Sequence, residues 1–296
     1  MIARLRLLQI QGLAREKLVQ YDRMRLPVRP KEFAQQLDIL VEPFSPPRPD
    51  VSGFLMQLGN SFGIGYSTAI HNEGFQNFTV AHELGHYFID DHPLAILSDG
   101  KHFSRSGYIS KDRFEEEADA FATELLMPWK LLEPLIRANA GGFQTIKAIA
   151  DGCESSLLAS AIRYTQVTQE CVAVIVSHLG IVEFMTASTS FKQIPDLDWL
   201  RKRDSLPANV PSKRFSTELD WVRAGNISED GGRLAPWFPA VRDREVEEDI
   251  VGLGSYDRLL TVLVTEETNP EGEDDEEYQD DYIDRWKQGI FRSKKS

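Results

Sequence analysis

The segment Phe78-Thr79-Val80-Ala81-His82-Glu83-Leu84-Gly85-His86-Tyr87-Phe88 sets two histidines four residues apart, with a glutamate directly after the first. On a helix, imidazoles at i and i+4 stand one turn apart on one face, where each can offer a ring nitrogen to the same Zn²⁺. The carboxylate of Glu83 is then placed to act on water at that ion, which is the chemistry of metal-assisted hydrolysis. The apolar residues agree with a helix. At about 100° per residue, Val80, Ala81, Leu84, Tyr87 and Phe88 form one stripe centred near Leu84. His82 and His86 fall about 160° to 200° from that centre, so the helix packs its stripe on a core and turns both imidazoles to a cleft. Glu83, about 100° from the stripe, sits beside them as a base rather than a ligand.

A catalytic zinc site takes a third protein ligand and keeps a fourth position open. The candidates lie in Arg113-Phe114-Glu115-Glu116-Glu117-Ala118-Asp119-Ala120-Phe121-Ala122-Thr123-Glu124-Leu125-Leu126-Met127-Pro128. Ala118, Phe121, Ala122, Leu125 and Leu126 make a helical stripe, and Pro128 marks its end. Measured from that stripe, Glu115 is about 50° away, Asp119 about 90°, Glu117 about 110° and Glu116 about 150°. Glu115 is therefore the carboxylate nearest the core, where a bare charge is costly unless something binds it. Asp119, one turn on, can accept the free ring N–H of a ligating histidine. Glu116 and Glu117 read as the solvated start of the helix, favoured there by its dipole.

These two segments, A-H-E-L-G-H-Y and then E-x-x-x-D-x-F-A-x-x-L-L-M-P, resemble the ImmA/IrrE family of zinc metallopeptidases. The resemblance runs from about Val28 to Pro128 and is weaker beyond. It implies a zincin-like fold, zinc held by His82, His86 and Glu115, and Glu83 as catalytic base. The family's usual Asn four residues after the ligand glutamate is Asp119 here, a departure that keeps a side-chain acceptor. Family members make limited cuts in helix-turn-helix repressors, and some carry a GAF-like domain after the peptidase.

Composition bounds the rest. At 296 residues the chain has room for about two domains. No apolar run approaches the length of a membrane span, and the first residues lack the pattern of a secretory signal. Two cysteines, Cys153 and Cys171, fit neither a zinc knuckle nor a disulfide framework, so a reduced, cytoplasmic setting is expected. Of the net charge of −13, eleven negative charges lie between Glu266 and Asp284 with no Lys or Arg among them, leaving −2 for the remainder. Neither part carries the basic footprint of a dedicated DNA binder.

The expected architecture is α+β: a zinc metallopeptidase domain over 1–140, a helix-turn-helix-like segment over 141–166, a small α/β GAF-like domain over 167–267 and a disordered acidic tail over 268–296. Arg15 to Met24 reads as a helix, Pro30 to Leu37 as another, and Ile39 to Val41 as a strand. Gly53 to Met56 and Phe62 to Tyr66 read as a hairpin turning at Gly59-Asn60. The stretch Gly63 to Ser67 is either part of an ordinary core hairpin, the preferred reading, or a candidate strand for pairing with an extended substrate. Asp90 to Arg113 reads as a long polar flap whose His92, His102 and Tyr108 are candidates to stabilise an oxyanion. Two short helices follow between Thr145 and Thr165, the second with Arg163 as its one cation, so direct nucleic-acid binding is not expected. Cys171–Ser177 and Ile181–Ala187 form a hairpin, Leu259–Thr265 a further strand, Arg242–Val251 a helix, and Trp221, Trp237 and Phe238 anchor a core. Tyr282 to Phe291 reads as a short terminal helix.

Together these readings point to a zinc-dependent endopeptidase that makes site-selective cuts in a partner protein, a DNA-binding repressor or an antitoxin. The alternative is a regulatory or binding protein whose metal site is structural or degenerate. Retention of Glu83 argues for the first, because a purely structural site has no use for a base. Phage, toxin–antitoxin and stress-response settings stay open, as does the oligomeric state.

Overall fold

The structure is a computed structural model and describes residues 2–44, 51–69, 72–97, 100–105, 112–254 and 257–266. Tyr108 and the acidic tail with its expected terminal helix lie outside these residues. The fold is α+β with two separate sheets. Among the described residues, no helix is long and apolar enough to cross a membrane. The chain divides into two compact units, one of 2–134 with 152–155 and the other of 135–151 with 156–266.

The first unit opens with helix α1 (Ile2–Gln20) and helix α2 (Pro30–Gln36), the latter with Pro at its first turn. Strands β1 (Leu40–Phe44), β2 (Val51–Leu58) and β3 (Ser61–Ser67) come next, followed by helix α3 (Glu73–Phe88). Helix α4 (His92–Ile96), strand β4 (Lys101–Arg105) and helix α5 (Arg113–Leu126) follow, and the division between the units falls within helix α6 (Trp129–Ala138). Gly59, at φ +61°, turns β2 into β3 with Leu58 opposite Ser61. The sheet order is β1-β3-β2-β4, with β1 parallel to β3 and the other pairs antiparallel.

Four expectations change here. The first helix begins at Ile2 and not near Arg15, because Ile10, Ala14 and Leu18 bury a face against α5 and Arg15 pairs with the buried Glu124 at 2.7 Å. The supposed flap contains α4 and β4; Phe103 of β4 meets Phe54 of β2, and alternation turns His102 and Ser104 to the other face. The stretch Gly63–Ser67 is interior, hydrogen-bonded on both sides, and has no edge to offer a substrate. The edge strand on that side is β4. Lastly, Arg242–Val251 is largely strand and not helix, as described below.

Helix α3 is the hub of the unit. Asn72 caps its start by accepting from the Phe75 N–H, and Asp112 caps α5 by accepting from the Phe114 N–H. One side of α3 packs on β2 and β3, and another on α5, where Phe88 stacks on Phe121 with ring centroids 5.8 Å apart. A fully buried Leu or Phe contributes about 1.5–3 kcal/mol of transfer free energy. The crossing with α5 is close because Gly85 has no side chain. A Cβ there would stand 3.1 Å from the Ala118 Cα and 3.2 Å from the Phe121 Cβ.

The second unit carries helices α7 (Gly142–Cys153) and α8 (Leu157–Val167), the expected helical pair, with Ser156 capping α8. Strands β5 (Cys171–His178) and β6 (Ile181–Ala187) form the expected hairpin, and short helices α9 (Thr189–Lys192), α10 (Pro211–Phe215) and α11 (Leu219–Arg223) follow. Strands β7 (Ile227–Arg233), β8 (Glu245–Gly252) and β9 (Arg258–Thr265) complete an antiparallel sheet ordered β6-β5-β9-β8-β7. The sequence Glu245–Gly252 is a strand because Val246, Glu248 and Ile250 alternate inward between β7 and β9. Glu248 is tolerated there because it accepts from Ser212 and from the Trp237 indole N–H at 3.0 Å. Trp237 and Phe238 anchor the core as expected, and Trp221 packs at the margin of a smaller cluster.

The Gly85 crossing yields a direct expectation. Gly85→Val inserts two methyl groups between backbone-level contacts and should destabilise the chain by about 1–3 kcal/mol. A melting temperature equal to that of the unaltered protein would show that the two helices do not depend on the close approach.

Candidate metal centre

The crossing at Gly85 and Ala118 brings the start of α5 over the His82–His86 face of α3. His82 Nε2 and His86 Nε2 lie 3.1 Å apart. Glu115 presents Oε1 to His86 Nε2 at 3.3 Å and Oε2 to His82 Nε2 at 3.5 Å. Ligands held tetrahedrally about 2.0–2.1 Å from one zinc ion stand about 3.3 Å from one another. The three donors therefore have the mutual spacing of a tetrahedral face, and two imidazoles with a carboxylate are a donor set suited to zinc. All three are buried, which differs from the open cleft face expected of the helix. The cover comes from α5 on one side and β4 on the other, whose His102 ring lies 4.8 Å from that of His86.

The electrostatics of the trio favour positive charge beside its carboxylates. Burial pulls His82 down, but its hydrogen bonds to Asp119 and Glu115 outweigh this and hold it up at about 10. Burial pushes His86 down to about 3, since a second positive ring beside His82 is unfavourable. Burial would raise Glu115, yet the three histidines that face it, His102, His82 and His86, hold it far below the usual carboxylate range.

Partners behind the trio orient it. Asp119, one turn after Glu115 on α5, meets His82 Nδ1 at 2.7 Å, where the sequence placed it. His86 Nδ1 meets His92 Nδ1 at 2.9 Å, and His92 Nε2 lies 3.3 Å from Glu117 Oε2. Glu117 is only 1% exposed, not part of a solvated helix start. The reason is α1: Arg6 reaches across to Glu117 at 2.9 Å, and a reading that starts this helix at Arg15 cannot see that cover. Asp91, His92 and Glu117 also stand close enough to hold an ion. Arg6 and Arg113 already pair with both carboxylates of that cluster, so it is neutralised by guanidinium groups.

Glu83 is fully buried, and neither carboxylate oxygen has a hydrogen-bond partner among the described residues. A buried carboxylate left so is costly unless a further group engages it. Burial pushes it up to about 7, with the neighbouring His82 opposing. The hydroxyl of Ser104 on β4 is near enough to favour its charged form, yet neither group completes a hydrogen bond. Its position depends on Gly53 of β2, where a Cβ would fall 2.9 Å from Glu83 Oε1 and 2.4 Å from Thr79 Cγ2.

Of the oxyanion candidates, His102 stands at the trio, with Nε2 2.9 Å from Glu115 Oε1. His92 lies behind His86, both ring nitrogens engaged and pushed down by burial. Sequence reasoning missed Gly53, Glu117 and Arg6. A hint of β4 was present in Lys101–Arg105, where His102 and Ser104 alternate with Phe103.

Comparison with known proteins places this geometry. Residues 34–148 match the model of a peptidase family described as the IrrE N-terminal-like domain, a stretch that contains His82, Glu83, His86, Glu115 and Asp119. No curated protein sequence matches the chain. Among solved structures, a Mycobacterium tuberculosis transcriptional regulator is similar in fold, with a TM-score of 0.53 at 10% identity over 86% of this chain and 75% of that one.

The spacing of the donors leads to a metal-binding expectation. The purified chain should take up about one equivalent of zinc. Changing His82, His86 or Glu115 to Ala should each lower occupancy strongly, while Glu116→Ala should not. Equal zinc loss from Glu116→Ala, measured by metal analysis, would show that the wrong face of α5 had been assigned.

Proposed function

We propose that this chain is a zinc-dependent endopeptidase that makes limited, site-selective cuts in a partner protein, a helix-turn-helix repressor or an antitoxin. The observation that carries the reading is the Glu83 carboxylate, buried without a hydrogen bond beside three donors that converge on one small volume. A structural metal site has no use for such a group. His82, His86 and Glu115 would hold the ion, which when bound acts as a Lewis acid towards water and a peptide carbonyl. Glu83 takes the proton of the attacking water and delivers it to the leaving amine. Burial supports that role, because a carboxyl pushed up to about 7 is matched to proton exchange near neutral pH. Asp119 holds the His82 ring, and His102 Nε2 is engaged with Glu115 at the same site.

The substrate reading rests on different support. Strand β4 is an edge of its sheet among the described residues and carries His102 and Ser104 on the face towards α3. An extended peptide pairing along that edge would pass Glu83 and His102, which favours an unfolded loop or linker of the partner. Arg163, the one cation of α8, is 3% exposed and donates to Gln166, a poor position for a phosphate contact. A separate DNA-binding partner as substrate is coherent with this. The acidic composition after Glu266 would favour recognition of a basic repressor, alongside the proposed GAF-like domain and in a cytoplasmic setting.

Glu83→Gln keeps the shape of the side chain but cannot accept the proton. It should retain zinc and the folded state and lose essentially all turnover. The assay incubates the zinc-loaded chain with the product of a neighbouring regulator gene and, separately, with casein, and maps the fragments. One or two cuts in the regulator support the reading. Cleavage by the Gln variant at a comparable rate would remove the mechanism, and degradation of casein with the regulator untouched would remove the substrate class.

A further inference from the structure

We infer that His92 and Glu117 form a polar relay that fixes which ring nitrogen of the candidate ligand His86 is free to bind the ion. The inference rests on the zinc reading above and concerns residues outside the ligand set. The relay begins at the surface, where Arg6 Nε and Nη2 donate to Glu117 Oε2 at 3.1 and 2.9 Å. Arg113 Nε lies 3.3 Å from Glu117 Oε1. Between two permanent cations, this carboxylate accepts and does not donate.

That polarity propagates inward. His92 Nε2 lies 3.3 Å from the same Oε2 and must carry the hydrogen. The other nitrogen of a neutral imidazole is then an acceptor. His92 Nδ1 is 2.9 Å from His86 Nδ1, so His86 donates there. Its remaining nitrogen, Nε2, keeps a lone pair, and this is the atom that faces His82 and Glu115. The reverse polarity would require Glu117 to donate or His92 to carry a hydrogen on both ring nitrogens, and either would leave His86 Nε2 without a lone pair for the ion. The His92 ring is itself firmly fixed. It is fully buried, its backbone N–H bonds the Ile89 carbonyl at 2.9 Å, and it meets Phe114 edge-on at 5.0 Å. Asp119 gives His82 the same service directly, so the two ligands are oriented from α5 by different routes. His92 and Glu117 are thus positioning residues, acting through His86.

The experiment measures zinc affinity of the full chain by chelator competition, for the unaltered protein, His92→Leu, His92→Gln and the ligand control His82→Ala. Leu fills the space without either hydrogen bond. Gln can accept from His86 through its oxygen and donate to Glu117 through its NH₂. The expected result is about a 10–100-fold loss of affinity for His92→Leu, as is usual when a ligand's outer partner is removed, with most of it restored in His92→Gln. In ¹⁵N-histidine-labelled, zinc-loaded protein, His86 should carry its hydrogen on Nδ1, a readout that needs no variant to fold. Undiminished affinity in His92→Leu, equal losses in the Leu and Gln variants, or metal bound through His86 Nδ1 would each overturn the relay. If His82→Ala loses zinc and His92→Leu does not, the relay alone fails. A folded, unaltered protein that takes up no zinc removes both the relay and the metal reading beneath it.

Discussion

The first unit depends on compensating carboxylates that two helices bury together. The close approach of α3 and α5 at Gly85 and Ala118 sinks Glu83, Glu115, Glu117 and Asp119 into one region. Burying a carboxylate without a partner costs several kcal/mol, so each must be answered. Glu117 is answered by Arg6 and Arg113, and Asp119 by His82. Glu115 is answered by three histidines. Glu83 has no hydrogen-bonding answer from the protein. Among the described residues Glu83 is thus the one of the four with no hydrogen bond on either oxygen, which is the observation behind the proposed role as base.

This arrangement explains why the N-terminal helix matters to a site it does not touch directly. Arg6 and Arg15 of α1 lie over the outer side of α5, pairing with Glu117 and Glu124. The first of these pairs continues through His92 to His86. On the opposite side, β2 and β4 close the site, with Gly53 making room for the base and His102 reaching Glu115. Among the described residues β4 is an edge strand of this sheet.

Where local pattern carried the information, the sequence was readable. The spacing of His82, His86 and Glu115, the stripes of α3 and α5, the hairpin at Gly59 and the pair α7–α8 all follow from periodicities of 3.6 and 2 and from turn residues. The choice of Glu115 over its neighbours and the role of Asp119 came from helical angles alone. What stayed hidden depends on long-range contact. Glu117 looks like a solvated helix start because its cover, Arg6, lies 111 residues away. Strand β8 was mistaken for a helix because Glu247, Glu248 and Asp249 mask the alternation of Val246 and Ile250, and only Ser212 and Trp237 make Glu248 an inward residue. Strand β3 could be seen as a strand but not as an interior one, because order within a sheet is a tertiary property. Resemblance to the ImmA/IrrE family supplied the fold and reaction class, and the matched family domain over 34–148 agrees with it.

The central claim is that two imidazoles and one carboxylate, brought together by the α3–α5 crossing, form a zinc site. X-ray absorption at the zinc edge of the metal-loaded chain tests it most directly. The account predicts a four-coordinate ion with two imidazole nitrogens at about 2.0–2.1 Å, oxygen in the remaining positions and no sulfur. A thiolate in the coordination sphere, a single imidazole, or a six-coordinate all-oxygen environment would contradict it.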